Sequence, residues 1–123
     1  MSLLVIFLGG GIGAVARYSL QGVVYRVYGT SFPYGTLIVN IIGCFLIGVS
    51  MIAMEERFLV NPMLRTFFTI GVLGGFTTFS SFSYETIALF RDGQVLFGSI
   101  NVVASVMTCL LATYTGTIAA KLL

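Results

Sequence analysis

The sequence predicts an all-α integral membrane protein with four transmembrane helices, because its composition is strongly apolar and its apolar residues form four long stretches. Of its 123 residues, 58% are hydrophobic and 8% are charged, and the mean hydropathy is +1.07. A soluble domain of this length needs far more charged surface. A helix takes about 20 apolar residues to cross the hydrocarbon core of a bilayer. Four segments meet that length, in a single membrane domain over residues 1–123: Leu3–Val24, Tyr34–Met54, Pro62–Phe90 and Val95–Ala120.

The first predicted span combines closely spaced glycines with one charge. Gly9, Gly10, Gly11 and Gly13 open the segment "GGGIGAVARY", and small residues in a membrane favour close helix packing. Arg17 lies well inside the span, where a guanidinium is costly unless it faces water, snorkels or finds a partner. It either snorkels to the headgroups or sets a positive potential in the vestibule of a pore. The N-terminus lacks the basic region of a signal peptide, so we expect this span to stay in the mature protein.

Short connections with helix-capping residues separate the spans. Pro33 suits the first turn of the second helix. Asn61 and Pro62 are typical of an N-cap followed by a first-turn proline, which starts the third helix. The segment "RDGQ" predicts a tight turn into the fourth.

The second span carries one amide among small and apolar residues. Gly43 and Gly48 are again positions for close packing. The carboxamide of Asn40 must find hydrogen-bond partners if it lies in the membrane, so it faces protein or water. It either joins two helices or donates an N–H group to a passing anion.

The third predicted span contains the least ordinary stretch of the chain, "GGFTTFSSFSYE" from Gly74 to Glu85. Two adjacent glycines followed by the β-branched Thr77 and Thr78 make a poor helix centre, which predicts a broken third helix. A break frees backbone carbonyls at membrane depth, which only protein, water or an ion can satisfy. Such carbonyls are good ligands for a hard cation such as Na⁺.

Two phenylalanines, Phe79 and Phe82, follow the predicted break and share one face of the helix. Aromatic residues at this spacing usually pack in a core. An aromatic ring is also electropositive at its edge, so a ring edge in a dry constriction can touch a small anion without holding it tightly. Glu85 lies one step further along the same face and either ends the path or bonds to a hydroxyl.

The fourth span carries a polar stripe. Asn101, Ser105, Cys109 and Thr113 recur every four residues and therefore line one helix face. A single hydroxyl can satisfy itself on the carbonyl one turn back, but a continuous stripe predicts the wall of a narrow wet path.

Charge and residue usage exclude several classes of function. The net charge of +2 is too small to indicate a nucleic-acid partner. The chain contains no histidine, which removes imidazole metal sites and the usual proton shuttle. Cys44 and Cys109 lie in apolar segments without CxxC spacing, and we interpret them as small core residues. No nucleophile–base pair can be assembled, so we do not expect an enzyme.

The charges near the span ends leave the membrane orientation open. With the N-terminus on one side, Arg57, Arg65 and Lys121 lie on that side, and Arg26 and Arg91 lie on the other. Three against two gives the positive-inside rule almost no bias. The protein therefore either inserts one way under a weak bias, or inserts both ways and pairs antiparallel with itself.

Three segments resemble the Fluc family of fluoride channels, also called CrcB. "GGGIGAVARY" (Gly9–Tyr18) looks like the first-helix motif of that family, and "PYGTLIVNIIGCFLIG" (Pro33–Gly48) looks like its second. "GVLGGFTTFSSFS" (Gly71–Ser83) is similar to the highly specific third-helix signature. The resemblance covers essentially the whole chain, with matching lengths and spacings. The fourth span matches more loosely, because Cys109 stands where a hydroxyl is expected.

The resemblance implies a passive channel that exports cytoplasmic fluoride across the cell (inner) membrane and so gives fluoride resistance. Its implied partners are the fluoride ion, the lipid bilayer and a second copy of the chain, in an antiparallel dual-topology homodimer with two pores. It also implies a structural Na⁺ at the dimer centre, held by the backbone carbonyls of Gly74 and Thr77. The residues it places on the fluoride pathway are Asn40, Thr78, Phe79, Phe82, Glu85, Ser105 and Thr113.

Two other functions stay open from the residues alone. Small multidrug-resistance proteins are also short, four-helix and often dual-topology, and they exchange protons for their substrates. Such exchange needs a titrating acid deep in the membrane, whereas the first span has none and Glu85 lies near a helix end. A non-transporting assembly subunit would use the same polar residues only to join helices, and it predicts no ion flux.

Overall fold

The computed structural model describes residues 1–57 and 61–122, apart from the side chain of Arg57, and residues 58–60 of the second predicted connection lie outside that description. Two π-helical segments extend neighbouring α-helices: Ala53–Arg57 follows the second helix, and Phe67–Leu73 joins the third to the fourth. The described residues are all-helical, without a strand, as predicted. The α-helices are α1 (Ser2–Tyr28), α2 (Tyr34–Ile52), α3 (Pro62–Thr66), α4 (Gly74–Phe76), α5 (Phe79–Arg91) and α6 (Val95–Lys121).

Three helical stretches in the described part of the chain are long and apolar enough to cross a membrane: Ser2–Tyr28, Tyr34–Glu56 and Val95–Lys121. They correspond to the first, second and fourth predicted spans. The third predicted span differs, because its helical residues are divided at Thr77 and Thr78, which are extended. Neither part alone has the 17–25 residues, roughly, that a membrane-crossing helix contains.

The helix ends follow local sequence signals. Asn61 caps α3 as predicted, because its side chain accepts a hydrogen bond of 2.8 Å from the backbone N–H of Met63. Gly29 and Gly93 have φ angles of 82° and 81°, which glycine adopts without the strain of a side chain. Pro33 precedes α2 as its N-cap instead of lying in its first turn.

Glycines let α1 pack closely on the segment that runs from α3 to α4. Gly9 and Gly13 are buried. A Cβ at Gly13 would overlap the carbonyl of Val72, and a Cβ at Gly75 would overlap the carbonyl of Gly10. The close-packing interpretation is therefore confirmed for Gly9 and Gly13.

The glycine pair Gly74–Gly75 does not itself break the helix, so that part of the prediction is wrong. Gly74 has helical torsions (φ −62°, ψ −39°), and Gly75 lies within α4. The backbone leaves the helix at Thr77 (φ −89°, ψ 158°) and at Thr78 (φ −150°, ψ 124°). Gly75 serves the contact with α1, whereas the two β-branched threonines favour extended torsions.

In the described part of the chain, α2 and α6 form the most extensive helix pair, and they run parallel. Gly48 lies against the backbone of Thr113. Four residues earlier on each helix, Cys44 and Cys109 line the same pocket. A step of four residues along α2 thus corresponds to a step of four residues along α6 in the same direction. The two helices are therefore parallel and in register.

Large apolar side chains cover much of the outer surface. Phe7 and Phe79 are each 76% exposed, and Leu110 is 65% exposed. Contiguous apolar surface of this kind is covered by lipid or by another chain in a membrane protein. The bilayer or a partner therefore covers the exposed apolar side chains, whereas the buried polar side chains lie between helices.

Candidate functional site

The site is centred on the extended residues Thr77 and Thr78, and Asn40 of α2 supports them. The Asn40 side chain donates from Nδ2 to the Thr78 carbonyl at 2.9 Å and accepts from the Thr78 N–H at Oδ1 at 2.8 Å. One carboxamide thus satisfies both backbone groups of a residue that has left the helix. At membrane depth such groups need a partner within the protein. Asn40 therefore joins α2 to the interruption.

The hydroxyl of Thr78 starts the next helix. Its Oγ1 accepts from the backbone N–H of Ser81 at 3.2 Å, in the manner of an N-cap. The neighbouring Thr77 bonds instead to α4, because its N–H and its hydroxyl each donate to the Leu73 carbonyl at 3.1 Å. The two threonines therefore finish one helix and begin another.

Arg17 finds its partner inside the protein. Its Nε donates to the Gly75 carbonyl at 3.1 Å, from a part-buried position. A guanidinium inside a membrane span needs such a contact. Arg17 therefore lies beside α4 and the helix interruption, and its side chain does not need to reach the headgroups for a partner.

The two carbonyls predicted to hold a cation, those of Gly74 and Thr77, lie at the interruption. In a continuous helix they would accept from the N–H groups of Thr78 and Ser81. Those N–H groups donate instead to Asn40 Oδ1 and to Thr78 Oγ1. Both carbonyls have lost their helical donors to side chains, which suits oxygen ligands of a hard cation. Within residues 1–57 and 61–122, no group of three or more His, Cys, Asp or Glu side chains could hold a metal ion.

A pocket of about 330 Å³ opens beside the interruption. It gathers five of the seven predicted pathway residues, and Glu85 and Thr113 are not among its lining. Both cysteines, which we interpreted as core residues, lie in its wall. The lining residues are Asn40, Cys44, Thr77, Thr78, Phe79, Phe82, Ser105, Val106, Cys109 and Leu110.

Phe79 and Phe82 form one side of this pocket. Their ring centroids are 5.3 Å apart, and the ring planes are inclined at 51°. Phe79 is 76% exposed, so its ring is not packed in a core of this chain. The rings are therefore available to a ligand in the pocket, or to whatever covers this face.

A buried hydrogen-bond chain ties α5 to α6 behind the rings. Asn101 Nδ2 donates to Thr86 Oγ1 at 2.8 Å, and the Thr86 hydroxyl donates to the Phe82 carbonyl at 2.7 Å. The Ser105 hydroxyl donates to Asn101 Oδ1 at 3.3 Å. Asn101 and Thr86 are 2% and 5% exposed. Sequence reasoning missed Thr86, whose only signal was its place one turn after Phe82.

Glu85 lies away from the pocket and contacts α1. Its Oε2 accepts a hydrogen bond of 3.1 Å from the phenol of Tyr25. Its other oxygen, Oε1, is buried and has no hydrogen-bond partner within the described chain. A second pocket, of about 460 Å³, is lined by both residues and opens toward Asp92 and Gln94. Of the two sequence hypotheses for Glu85, the structure therefore shows the bond to a hydroxyl.

Thr113 lies one turn beyond the pocket, where α6 meets α2. Its carbonyl contacts Gly48, at which a Cβ would overlap it. The polar stripe of the fourth span is thus divided between three environments. Asn101 is buried behind the rings, Ser105 and Cys109 face the pocket, and Thr113 lies at the α2–α6 contact.

Comparison with known proteins gives a consistent result. The family model described as "CrcB-like protein, Camphor Resistance (CrcB)" matches residues 4–117. A Geotalea daltonii protein named "Fluoride-specific ion channel FluC" is 53% identical over 119 residues, which are 95% of this chain and 96% of that relative. Proteins with the same name are 52% identical in Geobacter sulfurreducens, over 98% of this chain and 97% of the relative, and 51% identical in Opitutus terrae, over 95% and 90%.

Proposed function

The chain belongs to the CrcB family, and we propose from that premise that it is a fluoride-selective channel and not an enzyme. The observation that carries the proposal is the near full-length identity, at about half of all positions, to relatives named fluoride-specific ion channels. The pocket beside the helix interruption supports it, because its described lining combines hydrogen-bond donors with two aromatic rings and contains no carboxylate.

Fluoride is small and strongly hydrated, so a pathway for it must replace its water with donors at close range. Asn40 uses one Nδ2 proton for the Thr78 carbonyl, and its second proton is available for an anion. Ser105 donates to Asn101 and has to turn its hydroxyl proton into the pocket to reach fluoride. The edges of Phe79 and Phe82 complete the contacts, because ring edges carry partial positive charge.

We place the wider pathway on the remaining predicted residues. Thr78 lines the pocket, Glu85 and Thr113 lie beyond it on either side, and Arg17 supplies a positive charge beside the interruption. A guanidinium near the path raises the local concentration of anions. Arg17 is not itself part of the pocket lining, which has no cationic side chain among the described residues.

The proposed assembly is an antiparallel homodimer with two pores in the cell membrane. The third span is then formed by α3, its π-helical continuation and α4 on one side of the interruption and by α5 on the other. A structural Na⁺ held by the Gly74 and Thr77 carbonyls of the two subunits would be coordinated by four oxygens at the centre. Fluoride enters a cell as the neutral acid and ionises inside, so a passive channel of this kind exports it.

The test is fluoride efflux from liposomes that contain the purified protein, followed with a fluoride electrode beside a chloride control. We expect fast, fluoride-selective efflux from the wild type. Phe79→Ile and Phe82→Ile should reduce it about tenfold or more, because 1.4 kcal/mol of lost stabilisation is about a factor of ten in rate. Phe7→Ile is the matched control, since Phe7 is as exposed as Phe79 and lies on α1 outside the pocket.

Folded protein that gives no efflux would overturn the proposal and favour an assembly subunit. Efflux that stops when the proton gradient is dissipated would favour a proton-coupled exporter instead. Equal loss of efflux in Phe7→Ile would show that the two rings have no special part in conduction.

A further inference from the structure

The two cysteines of the chain, Cys44 and Cys109, have no part in the fluoride contacts proposed above. Both thiols are free and half-buried, and both lie in the wall of the 330 Å³ pocket. They come from different helices, α2 and α6, which run parallel and in register. On those helices they stand at corresponding positions, each four residues before a member of the Gly48–Thr113 contact. The fold therefore brings two sulfur atoms together at a surface that a small ion can reach.

The rest of the pocket wall decides which ion such a pair suits. Its described lining residues include no Asp, Glu or His, and the sequence has no histidine. A hard cation needs several oxygen ligands, and zinc takes four ligands in structural sites. Soft thiolates select soft metals. The remaining polar groups of the wall are neutral amide and hydroxyl groups, so two sulfur ligands without a further thiolate, imidazole or carboxylate suit a cation that is stable with two ligands.

Charge narrows the choice further. Two S–H bonds break when the site fills, two metal–sulfur bonds form, and two protons pass to the buffer. With Hg²⁺ the product carries no net charge, whereas a monovalent cation leaves one negative charge. An uncompensated charge at membrane depth is costly, and this pocket is lined largely by apolar groups. Hg²⁺ is therefore the best match among soft cations.

We propose that Cys44 and Cys109 form a two-coordinate site for Hg²⁺, and that the bound metal obstructs the pocket. The second half rests on the proposed function, since it places the metal on the fluoride pathway. The site lies beside Phe82 and Ser105, so a bridging metal occupies the space between the rings and the polar stripe.

Retention of Hg²⁺ by the purified protein tests the site without any transport. Protein loaded with Hg²⁺ is passed through a desalting column with an excess of a small monothiol, and metal per chain is measured. The wild type should keep one Hg²⁺ per chain, because two preplaced sulfurs act at high effective concentration. Cys44→Ser and Cys109→Ser should lose it, as should the thiol-free double variant. Loss of Hg²⁺ from the wild type would overturn the proposed site. So would a single serine variant that retains as much Hg²⁺ as the wild type.

Fluoride efflux then tests the position of the site. Hg²⁺ should reduce wild-type efflux about tenfold or more, a dithiol chelator should restore it, and the double serine variant should be insensitive. Unchanged wild-type efflux with the metal bound would overturn obstruction of the path. If no form conducts fluoride but the wild type alone retains Hg²⁺, the proposed function fails and the metal site stands.

Discussion

At the scale of single residues, Asn40 holds the interruption of the third predicted span in place. Its side chain makes two hydrogen bonds to the backbone of Thr78, at 2.9 Å and 2.8 Å. The sequence left open whether this amide joins helices or contacts an anion. The structure shows the first role, and one spare N–H leaves room for the second. A substitution at Asn40 should therefore affect stability as well as conduction.

We predict that Asn40→Leu destabilises the fold by about 2–6 kcal/mol. Leucine has a similar size but leaves the N–H and the carbonyl of Thr78 unpaired, and each unpaired buried group costs about 1–3 kcal/mol. Thermal unfolding of the detergent-solubilised protein, followed by gel filtration, measures the change. If Asn40→Leu is as stable as the wild type and only its fluoride efflux falls, Asn40 acts on the ion and not on the backbone.

The contact between Tyr25 and Glu85 supports a second prediction. Tyr25→Phe removes the donor to Glu85 Oε2, while Oε1 already lacks a partner in the described chain. We expect a loss of about 1–3 kcal/mol, since hydrogen bonds to charged groups contribute roughly that much. Tyr28→Phe is the control, because Tyr28 lies on the same helix and is 62% exposed. Equal unfolding midpoints for the two variants would contradict the contact.

At the scale of helices, the glycines of α1 differ sharply in what surrounds them. A Cβ at Gly13 would overlap the Val72 carbonyl and approach the Phe76 nitrogen to 2.8 Å, whereas a Cβ at Gly11 would meet nothing within 4 Å. Both are internal to one helix, so alanine changes intrinsic helix propensity equally at the two positions. Comparing alanine substitutions at Gly13 and Gly11 therefore separates the effect of packing from the effect of helix propensity.

We predict that Gly13→Ala destabilises the protein by about 1–3 kcal/mol, the usual cost of overpacking. Gly11→Ala should instead be neutral or stabilise by up to about 1 kcal/mol, because alanine is the better helix former. The unfolding midpoints of both variants in detergent give the comparison. The close α1 packing would be contradicted if the two substitutions moved the midpoint in the same direction by similar amounts.

The helices also show what the sequence alone predicts and what it does not. Long apolar stretches predict helices because the signal is local, and three such helices lie where they were predicted. The exact residues of the interruption were not predictable, because the role of Gly75 depends on the approach of Gly10 from another helix. Thr86 was missed for a related reason. Its hydroxyl donates to a carbonyl of its own helix, which is common for threonine. It becomes part of the hydrogen-bond chain between α5 and α6 only through the hydrogen bond from Asn101.

At the scale of the whole molecule, two observations concern what the chain pairs with. Exposed apolar side chains include Phe79, at the proposed pathway itself. The basic residues at the span ends are nearly balanced between the two sides, three against two. A pathway ring left open in one chain suits a second copy that covers it. A weak charge bias permits that copy to lie in the opposite orientation.

Lysine pairs that fix the orientation test this pairing. Thr30→Lys with Gln94→Lys strengthens one side of the membrane, and Ser2→Lys with Glu56→Lys strengthens the other, at exposed positions. Each double variant should insert one way only. Alone, neither should protect fluoride-sensitive cells, because its antiparallel partner is missing, and co-expression of the two should restore resistance. Wild-type resistance from either variant alone, at equal protein level in the membrane, would show that one orientation suffices and would contradict antiparallel pairing.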